Sequence, residues 1–403
     1  MSENARLAMR TRALHVGEDP DPVTKAVEPP LVLSTNFIAD PDTVGFSAVD
    51  MKDDDPYFYA RWSTPTVRGL ERKLADLEDG EDALCFASGM GAASALLLGT
   101  LKKGDHLVVS DVCYAGVAEL TRDTLPSFGI AVTSVNFADL EAVRAAIRPN
   151  TRLLWAEAPC NPILRLTDIA AVAELAHAAS AELAVDSTLA TPAATHPLAL
   201  GADYVVHSLT KYLNGHGDAL GGVVIGRRVE MAHLRQLSLI HFGGALSPFN
   251  AWLIRRGMHT FTLRMRAHAE SAQRVAEFLE SRPGIKRVIY PGLPSHPQHE
   301  LARRQMKNFS GMLTFQVDGD GQEVARRLYR NLRVFQYAVS LGKQRSLIFY
   351  IGTGDMLRTS FTLTPEGERS YREYAGEGIF RVSIGLDDPE DLIRDLDQAL
   401  GAL

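Results

Sequence analysis

Short apolar runs alternate with longer amphipathic segments through the first half of this 403-residue chain. The apolar runs are typical of buried strands and lie at 83–87, 106–110, 131–135, 153–156, 183–185 and 204–206. The segments with apolar residues at helical spacing lie at 65–77, 92–101, 116–125, 140–147 and 169–178. This alternation predicts an α/β fold with a mostly parallel sheet and helices on both faces.

The pattern changes after residue 228. A stretch poor in glycine and proline, 228–282, predicts long helices, and the remainder mixes predicted strands with predicted helices in an α+β order. We therefore expect three parts. They are an N-terminal arm at 1–58, a large domain at 59–255 and a smaller α+β domain at 256–403. Five prolines between residues 20 and 41 exclude long helices from the arm, which we expect to contact a neighbouring subunit.

Composition narrows the class of protein. Apolar residues make up 46% of the chain and charged residues 23%, which is ordinary for a globular protein. A net charge of −7 without a basic cluster argues against a nucleic-acid partner. The apolar runs are too short for a membrane span, and the first residues lack a signal-peptide core. The three cysteines, Cys85, Cys113 and Cys160, lack metal-ligand spacing and predict core thiols in a reducing cytoplasm.

The strongest chemical signal lies in the stretch 204–216. An apolar run is followed by Ser208, Thr210 and Lys211, and then by several glycines. A lysine at the end of a buried strand is partly desolvated, which lowers its pKa and frees its amine as a nucleophile. With hydroxyl groups beside it that can bind phosphate, this lysine is typical of a Schiff-base residue next to an anionic cofactor.

Polar residues also follow the other predicted strands, and the carboxyl ends of parallel strands meet at one edge of a sheet. Asp186 follows its strand one β-α unit before Lys211. A carboxylate there can keep a pyridine nitrogen protonated, so the two residues together predict pyridoxal phosphate. Tyr114 is placed to stack on the ring. The turn 88–90, at the start of a predicted helix, offers backbone N–H groups to the phosphate.

Several motifs occur together and in order along the chain. They are Tyr59-Ala60-Arg61, Ser88-Gly89-Met90, Glu157-Ala158-Pro159-Cys160-Asn161-Pro162, Val185-Asp186-Ser187-Thr188, His207–Tyr212, Ser340-Leu341-Gly342 and Arg381-Val382-Ser383-Ile384-Gly385. By these motifs the chain resembles the Cys/Met-metabolism family of pyridoxal phosphate enzymes, which includes cystathionine γ-synthase, cystathionine γ- and β-lyases and methionine γ-lyase. The resemblance implies a fold-type I transferase with a mostly parallel seven-stranded sheet and a smaller C-terminal domain.

The resemblance also assigns roles in the reaction. Lys211 and Tyr114 are the expected catalytic residues: Lys211 carries the cofactor and moves protons, and Tyr114 stacks on the ring and serves as an acid–base group. Arg381 is expected to pair in a bidentate way with the α-carboxylate of a small amino-acid substrate. Ser340 joins the substrate-binding set. No metal is expected.

The family pattern implies that the site is shared between subunits. Tyr59 and Arg61 are expected to reach the phosphate in the neighbouring subunit, within a homotetramer built as a dimer of dimers. The expected cofactor-binding residues are Tyr59, Arg61, Ser88, Gly89, Met90, Tyr114, Asn161, Asp186, Ser208, Thr210 and Lys211.

The chain departs from the family pattern where the far end of the substrate is expected to lie. Lys343 and Arg345 replace a glycine and a glutamate of many relatives, and 349–354 replaces a His-Pro segment. We expect Arg345 to bind the substrate and to disfavour a cationic distal group, such as the distal ammonium of cystathionine. The preferred substrate would then carry a neutral or anionic γ-substituent. The alternative is that both basic side chains point to solvent or pair with Asp355 or Glu366.

The expected activity is pyridoxal phosphate-dependent γ-elimination on a γ-substituted homoserine-type L-amino acid. The products would be a 2-oxo acid, ammonia and the leaving group. Alternatives that share the same motifs are a γ-replacement synthase or sulfhydrylase acting on an O-acyl homoserine, and a β-lyase. A more remote alternative is a non-catalytic homologue that only binds the cofactor.

Overall fold

The computed structural model describes residues 7–42 and 57–401, so parts of the expected arm and the last two residues lie outside the described ranges. The start of the arm packs on its own chain. Helix α1 (Met9–His15) contacts helix α2 (Pro65–Leu77), and Glu18 forms ion pairs with Lys73 and Arg255. From residue 19 to residue 42 the chain forms only turns, bends and one isolated bridge.

The large sheet has seven strands, as expected. They are β1 (Asp82–Phe86), β2 (His106–Ser110), β3 (Ala131–Val135), β4 (Thr151–Glu157), β5 (Glu182–Asp186), β6 (Tyr204–Ser208) and β7 (Gly222–Gly226). The strand order is β1-β7-β6-β5-β4-β2-β3, and β7 runs antiparallel to the other six strands. Strand β7 was not expected from the sequence. A Cβ at Gly222 would lie 2.2 Å from the carbonyl oxygen of Ser88, so a glycine is needed where β7 passes the turn after β1.

Helices cover both faces of this sheet, as the alternating pattern predicted. The helices after α2 are α3 (Gly89–Thr100), α4 (Ala115–Glu119), α5 (Leu140–Ala146), α6 (Ile169–Ala178), α7 (Thr191–Ala194), α8 (Arg228–Leu234), α9 (Pro248–Met258) and α10 (Phe261–Ser281). In β4, Leu153 and Trp155 pack in the core with α3, whereas Leu154 and Ala156 pack with α5 and α6. This two-residue periodicity with apolar residues on both sides is that of a strand buried on both faces.

Two helical predictions differ from the structure. The expected helix at 116–125 is α-helical only to Glu119 and continues as a π-helical turn and a 3₁₀ turn to Phe128. Pro126, which has no N–H group to donate, lies in the 3₁₀ turn, so regular α-helix does not resume there. The region 228–282 is interrupted between α8 and α9, where a second π-helical turn leads to Gly243 with φ of +76°.

The C-terminal region forms a second sheet of five strands in the order β10-β11-β12-β9-β8. The strands are β8 (Ile285–Ile289), β9 (Met312–Val317), β10 (Gln336–Tyr337), β11 (Leu347–Gly352) and β12 (Gly378–Ser383). The helices are α11 (His299–Gln305), α12 (Gly321–Asn331), α13 (Thr353–Thr359), α14 (Pro365–Ala375) and α15 (Pro389–Leu400). Of the strands, only β9 and β12 were expected. Strand β11 pairs with β12 over all six of its residues, and proline, which would interrupt such a ladder, is absent from 347–352.

None of the helices in the described ranges combines the length and the apolar character that a membrane crossing needs. The three cysteines are free and buried.

Candidate active site

One edge of the seven-stranded sheet collects polar side chains. The parallel strands β1, β2, β4, β5 and β6 end at this edge, and antiparallel β7 begins there. A cavity of about 670 Å³ lies at the edge and is lined by residues of both sheets and their loops. This is the location expected for the site of an open α/β sheet.

Lys211 follows β6 and lines the cavity. Its Nζ atom donates a hydrogen bond to Oγ of Ser340 over 3.1 Å. Burial, with help from the nearby charges of Arg381 and Lys343, lowers the pKa of Lys211 to about 8. The neutral amine is therefore accessible near neutral pH, and it is this form that acts as a nucleophile.

Asp186 ends β5 and also lines the cavity. One of its oxygens accepts the N–H of Thr188 at 2.9 Å, and Oγ1 of Thr188 accepts the N–H of Ser208 at 2.8 Å, which ties the ends of β5 and β6 together. Burial raises the pKa of Asp186, and the hydrogen bonds from Thr188 oppose that rise. A carboxylate in this position is best neutralised by a cationic group of a ligand, such as a protonated ring nitrogen.

The turn between β1 and α3 approaches β6 closely. Ser88 caps α3 by accepting the N–H of Gly91 at 3.0 Å, which leaves the N–H groups of Gly89 and Met90 at the head of a 12-residue helix. A Cβ at Gly89 would lie 2.9 Å from Cβ of Ser208, so only glycine lets the turn and the strand come together. The helix start and the Ser208 hydroxyl form one concave group of donors suited to a phosphate.

Thr210 completes the hydroxyl pair that the sequence predicted. Its Oγ1 atom exchanges hydrogen bonds with Gly221, at 3.3 Å to the carbonyl oxygen and 3.2 Å from the N–H group. This contact holds the loop after β6 against the start of β7. Both Thr210 and Ser208 line the cavity.

Tyr114 and Asn161 reach the cavity from the loops after β2 and β4. Both loops are hydrogen-bonded to Glu157, a residue to which the sequence gave no role. Glu157, the last residue of β4, accepts the backbone N–H groups of Tyr114 and Asn161. The signal for Glu157 was its position in the Glu-x-Pro-x-Asn-Pro motif at the end of a strand.

Arg381 lies on β12 and enters the cavity from the second sheet. Its guanidinium donates to Oδ1 of Asn161 at 2.9 Å and to the carbonyl oxygen of Ser340 at 3.3 Å. Burial lowers the pKa of Arg381. Ser340 has a left-handed backbone with φ of +81°, which is uncommon outside glycine. Through its two oxygens, Ser340 lies between Arg381 and Lys211, which brings the expected carboxylate-binding and proton-moving groups together.

The far wall of the cavity is mostly apolar, with one acid. Val339, Phe349, Ile351 and Met356 line this end, together with Asp355 in the first turn of α13. Neither the sequence pattern nor the motifs gave Asp355 a role in binding. The sequence offered no signal for a binding role of Asp355, because helix α13 was not expected.

Two positively charged residues expected near the substrate do not line this cavity. Arg345 is exposed, and the side chain of Lys343 packs against Gly217. Among the described residues that line the cavity, the basic side chains are Lys211 and Arg381. The expected contact of Arg345 with the substrate stays a prediction, and its exposed position outside the lining residues favours the solvent-facing alternative.

Tyr59 and Arg61 also lie outside the cavity of their own chain. The guanidinium of Arg61 is 5.5 Å from the centre of the Tyr59 ring and donates to the carbonyl oxygen of Ile240. Tyr59 is 41% exposed. A cofactor contact by these two residues would have to be made in another subunit.

The family model of the Cys/Met metabolism PLP-dependent enzymes matches residues 10–401. The chain belongs to this family. The family's cofactor is pyridoxal phosphate, and the cavity fits it: Asp186 for the ring nitrogen, Lys211 for covalent attachment, and the helix start with Ser208 for the phosphate. The expected family, fold class, cofactor and enzyme class are thereby confirmed.

Relatives and a solved structure match over nearly the whole length. The canavanine gamma-lyase of Pseudomonas canavaninivorans is 43% identical over 397 residues, covering 98% of this chain and 96% of that protein. The cystathionine gamma-synthase of Mycobacterium tuberculosis is 41% identical over 391 residues, covering 97% and 96%. The crystal structure of metB from Corynebacterium glutamicum has a TM-score of 0.87 and 36% identity, and covers 98% of both chains. The family's chemistry is therefore γ-elimination or γ-replacement on a small amino acid.

Proposed function

We propose that this enzyme catalyses γ-elimination from an O-substituted L-homoserine whose distal group donates hydrogen bonds, as the oxyguanidine group of L-canavanine does. The observation that carries the proposal is the charge pattern of the far wall. Among the described residues that line the cavity, the basic side chains are Lys211 and Arg381, and both donate hydrogen bonds to Ser340. The charged residue at the far end is Asp355. A substrate with a second, distal carboxylate would find no basic partner among these residues, whereas a guanidine group would compete with the exposed Arg358 for Asp355.

The chain's own residues divide the work in this proposal. Arg381 binds the α-carboxylate, and Nζ of Lys211 removes the proton from Cα and moves protons at Cβ and Cγ. Pyridoxal phosphate, when bound, withdraws the negative charge that these proton transfers leave on the substrate. The Cγ–O bond then breaks with its electron pair leaving on oxygen, and hydrolysis yields 2-oxobutanoate and ammonia. In this proposal Tyr114, which lines the cavity, transfers a proton to the leaving oxygen.

The similarity to a cystathionine γ-synthase makes γ-replacement the second candidate. In that reaction a thiol, rather than protons, would be added at Cγ. The two activities are separated by the fate of the carbon chain. Elimination gives 2-oxobutanoate whether or not a thiol is present, replacement gives a thioether only with the thiol, and addition of water gives homoserine.

The test is a substrate panel with the enzyme loaded with pyridoxal phosphate. L-canavanine, O-acetyl-L-homoserine, O-succinyl-L-homoserine, L-methionine and L-cystathionine are compared by kcat/KM, with and without L-cysteine. Released 2-oxobutanoate, ammonia, homoserine and thioether are all quantified. We expect canavanine to be preferred over O-succinyl-homoserine by at least tenfold. A preference for O-succinyl-homoserine with formation of a thioether would replace the lyase proposal by the synthase.

We also propose a cytoplasmic homotetramer in which residues 1–58 contact a neighbouring subunit, and in which 59–255 and 256–403 are its two domains. The positions of Tyr59 and Arg61 outside their own cavity support a site shared between subunits. Arg61→Ala and Lys211→Ala proteins, each with little activity, are expected to regain activity when their subunits are exchanged, because a mixed pair holds one site with both native residues. Proven exchange without regained activity would contradict shared sites.

A further inference from the structure

Glu157 joins two loops of the cofactor site through a single carboxyl group. It is the last residue of β4 and only 4% exposed. One of its oxygens accepts the N–H of Asn161 at 2.8 Å, and the other accepts the N–H of Tyr114. Tyr114 follows β2 and Asn161 follows β4, so one side chain fixes the separation of two loops from neighbouring strands.

Glu157 stands on β4 beside β5, where a buried acid is energetically unfavourable. Glu157 lies directly opposite Asp186 in the pairing of β4 with β5, so two carboxyl groups meet in a buried place. Burial and the charge of Asp186 raise the pKa of Glu157 well above its ordinary value, and the two N–H groups oppose that rise. A buried acid beside a second acid destabilises the fold unless other contacts compensate for it. Here the compensating contacts are the hydrogen bonds from the N–H groups of Tyr114 and Asn161.

We propose that Glu157 is a positioning residue that sets the distance between Tyr114 and Asn161, and thereby the orientation of the cofactor ring between them. The role needs an acceptor at both ends of the side chain. A carboxylate accepts with both oxygens, whereas a carboxamide accepts with one and turns an NH₂ group toward the other N–H donor. Replacement of Glu157 by glutamine therefore keeps the shape and displaces one of the two loops.

The test compares Glu157→Gln with a matched control, Asp395→Asn. Asp395 is also 4% exposed and also holds a loop by accepting backbone N–H groups, those of residues 333–335. It packs in the second sheet's core region, outside the residues that line the cavity. Both variants lose a buried acceptor of the same kind, but only one of them adjoins the cofactor.

The measurements are the Kd for pyridoxal phosphate added to the apoprotein, the circular dichroism of the bound cofactor, and the Tm. For Glu157→Gln we expect the Kd to rise at least tenfold and the circular dichroism of the bound cofactor to change. For Asp395→Asn we expect a lowered Tm with Kd and circular dichroism within twofold of wild type. Glu157→Asp, which keeps the charge and reaches one N–H group, is expected to lie between wild type and Glu157→Gln.

Two results would overturn the proposal. One is a Glu157→Gln protein with the wild-type Kd and the wild-type circular dichroism of the cofactor. The other is an equal change of both quantities in Asp395→Asn, which would assign the effect to general destabilisation. If Glu157→Gln does not fold, the same two criteria apply to Glu157→Asp.

Discussion

The two ends of the cavity are built on different principles. At the cofactor end, polar groups stand at the carboxyl ends of parallel strands, and each is held by another polar group, as Asp186 is by Thr188 and Lys211 by Ser340. At the far end, apolar side chains from β11 and α13 form the wall, and Asp355 pairs with the exposed Arg358. Hydrogen bonds fix the cofactor end, whereas the packing of apolar side chains mainly determines the far end.

This difference explains how one family can carry out related reactions on different substrates. A canavanine γ-lyase and a cystathionine γ-synthase are both more than 40% identical to this chain. Hydrogen-bonded groups tolerate little change because an unpaired buried partner is costly, whereas an apolar wall can be repacked. We therefore expect changes at the cofactor end to abolish turnover of every substrate, and changes at the far end to alter which substrate is preferred.

The largest effect is expected from Lys211→Ala. The covalent anchor and the proton-moving group are lost together, and a general acid–base group alone contributes about 10²–10⁴-fold to a rate. We expect kcat to fall at least about 10³-fold for all substrates, together with the loss of the absorbance of covalently bound cofactor. The exposed Lys286 on β8 supplies the control, since Lys286→Ala should behave as wild type. Normal turnover by Lys211→Ala would show that the cofactor end does not depend on this lysine.

Asp186→Asn is expected to have the second largest effect. The amide keeps the contact with the N–H of Thr188 but cannot neutralise a protonated ring nitrogen. A loss of about 10²-fold in kcat is typical when one preorganised electrostatic group is removed. The measurements are kcat for two substrates and the Kd for pyridoxal phosphate. An unchanged kcat would mean that the neighbouring Glu157 serves the ring nitrogen instead.

The cofactor end could be predicted from the sequence because its logic is local. An apolar run gives a strand, a polar residue at its end gives a side chain at the sheet edge, and alternation with helices makes the strands parallel. Lys211, Asp186 and Ser208 all followed from these rules. Strand β7 was missed because it lies within the glycine-rich stretch that follows Lys211, and its antiparallel direction depends on pairing with β1 and β6. Glu157 was seen in a motif, but its two backbone partners were not visible from the sequence.

The far end could not be predicted because it depends on long-range packing. Arg345 lies just before β11 begins and Asp355 just after β11 gives way to α13, and neither element was expected from the sequence. Register matters equally. A strand turns successive side chains to opposite faces, and the Tyr350 ring packs over Gly321 and Gly378, although Tyr350 also lines the cavity.

Asp355→Asn sharpens the comparison at the far end. Loss of the negative charge removes the proposed partner of a guanidine group, and a hydrogen bond to a charged group corresponds to about a tenfold change in kcat/KM after allowance for exposure. We expect kcat/KM for canavanine to fall about tenfold and that for O-acetyl-homoserine to change less than threefold. Asp391→Asn is the control, because Asp391 likewise lies in the first turn of a helix and pairs with an arginine three residues later. Equal losses for both substrates would remove Asp355 from substrate selection.

The smallest effect is expected from replacement of Lys343, which is not among the described residues that line the cavity. Burial and the charges of Arg381 and Lys343 hold the pKa of Lys211 at about 8, below its ordinary value. Since only the neutral amine attacks the cofactor, the rate of pyridoxal phosphate capture by the apoprotein should rise with pH, with a midpoint near 8. Removing the charge in Lys343→Ala relieves part of the repulsion. The pKa of Lys211 should rise, and the midpoint should move up by a few tenths of a pH unit. Lys286→Ala should leave the midpoint unchanged, and a downward shift in Lys343→Ala would contradict a repulsive contact between the two lysines.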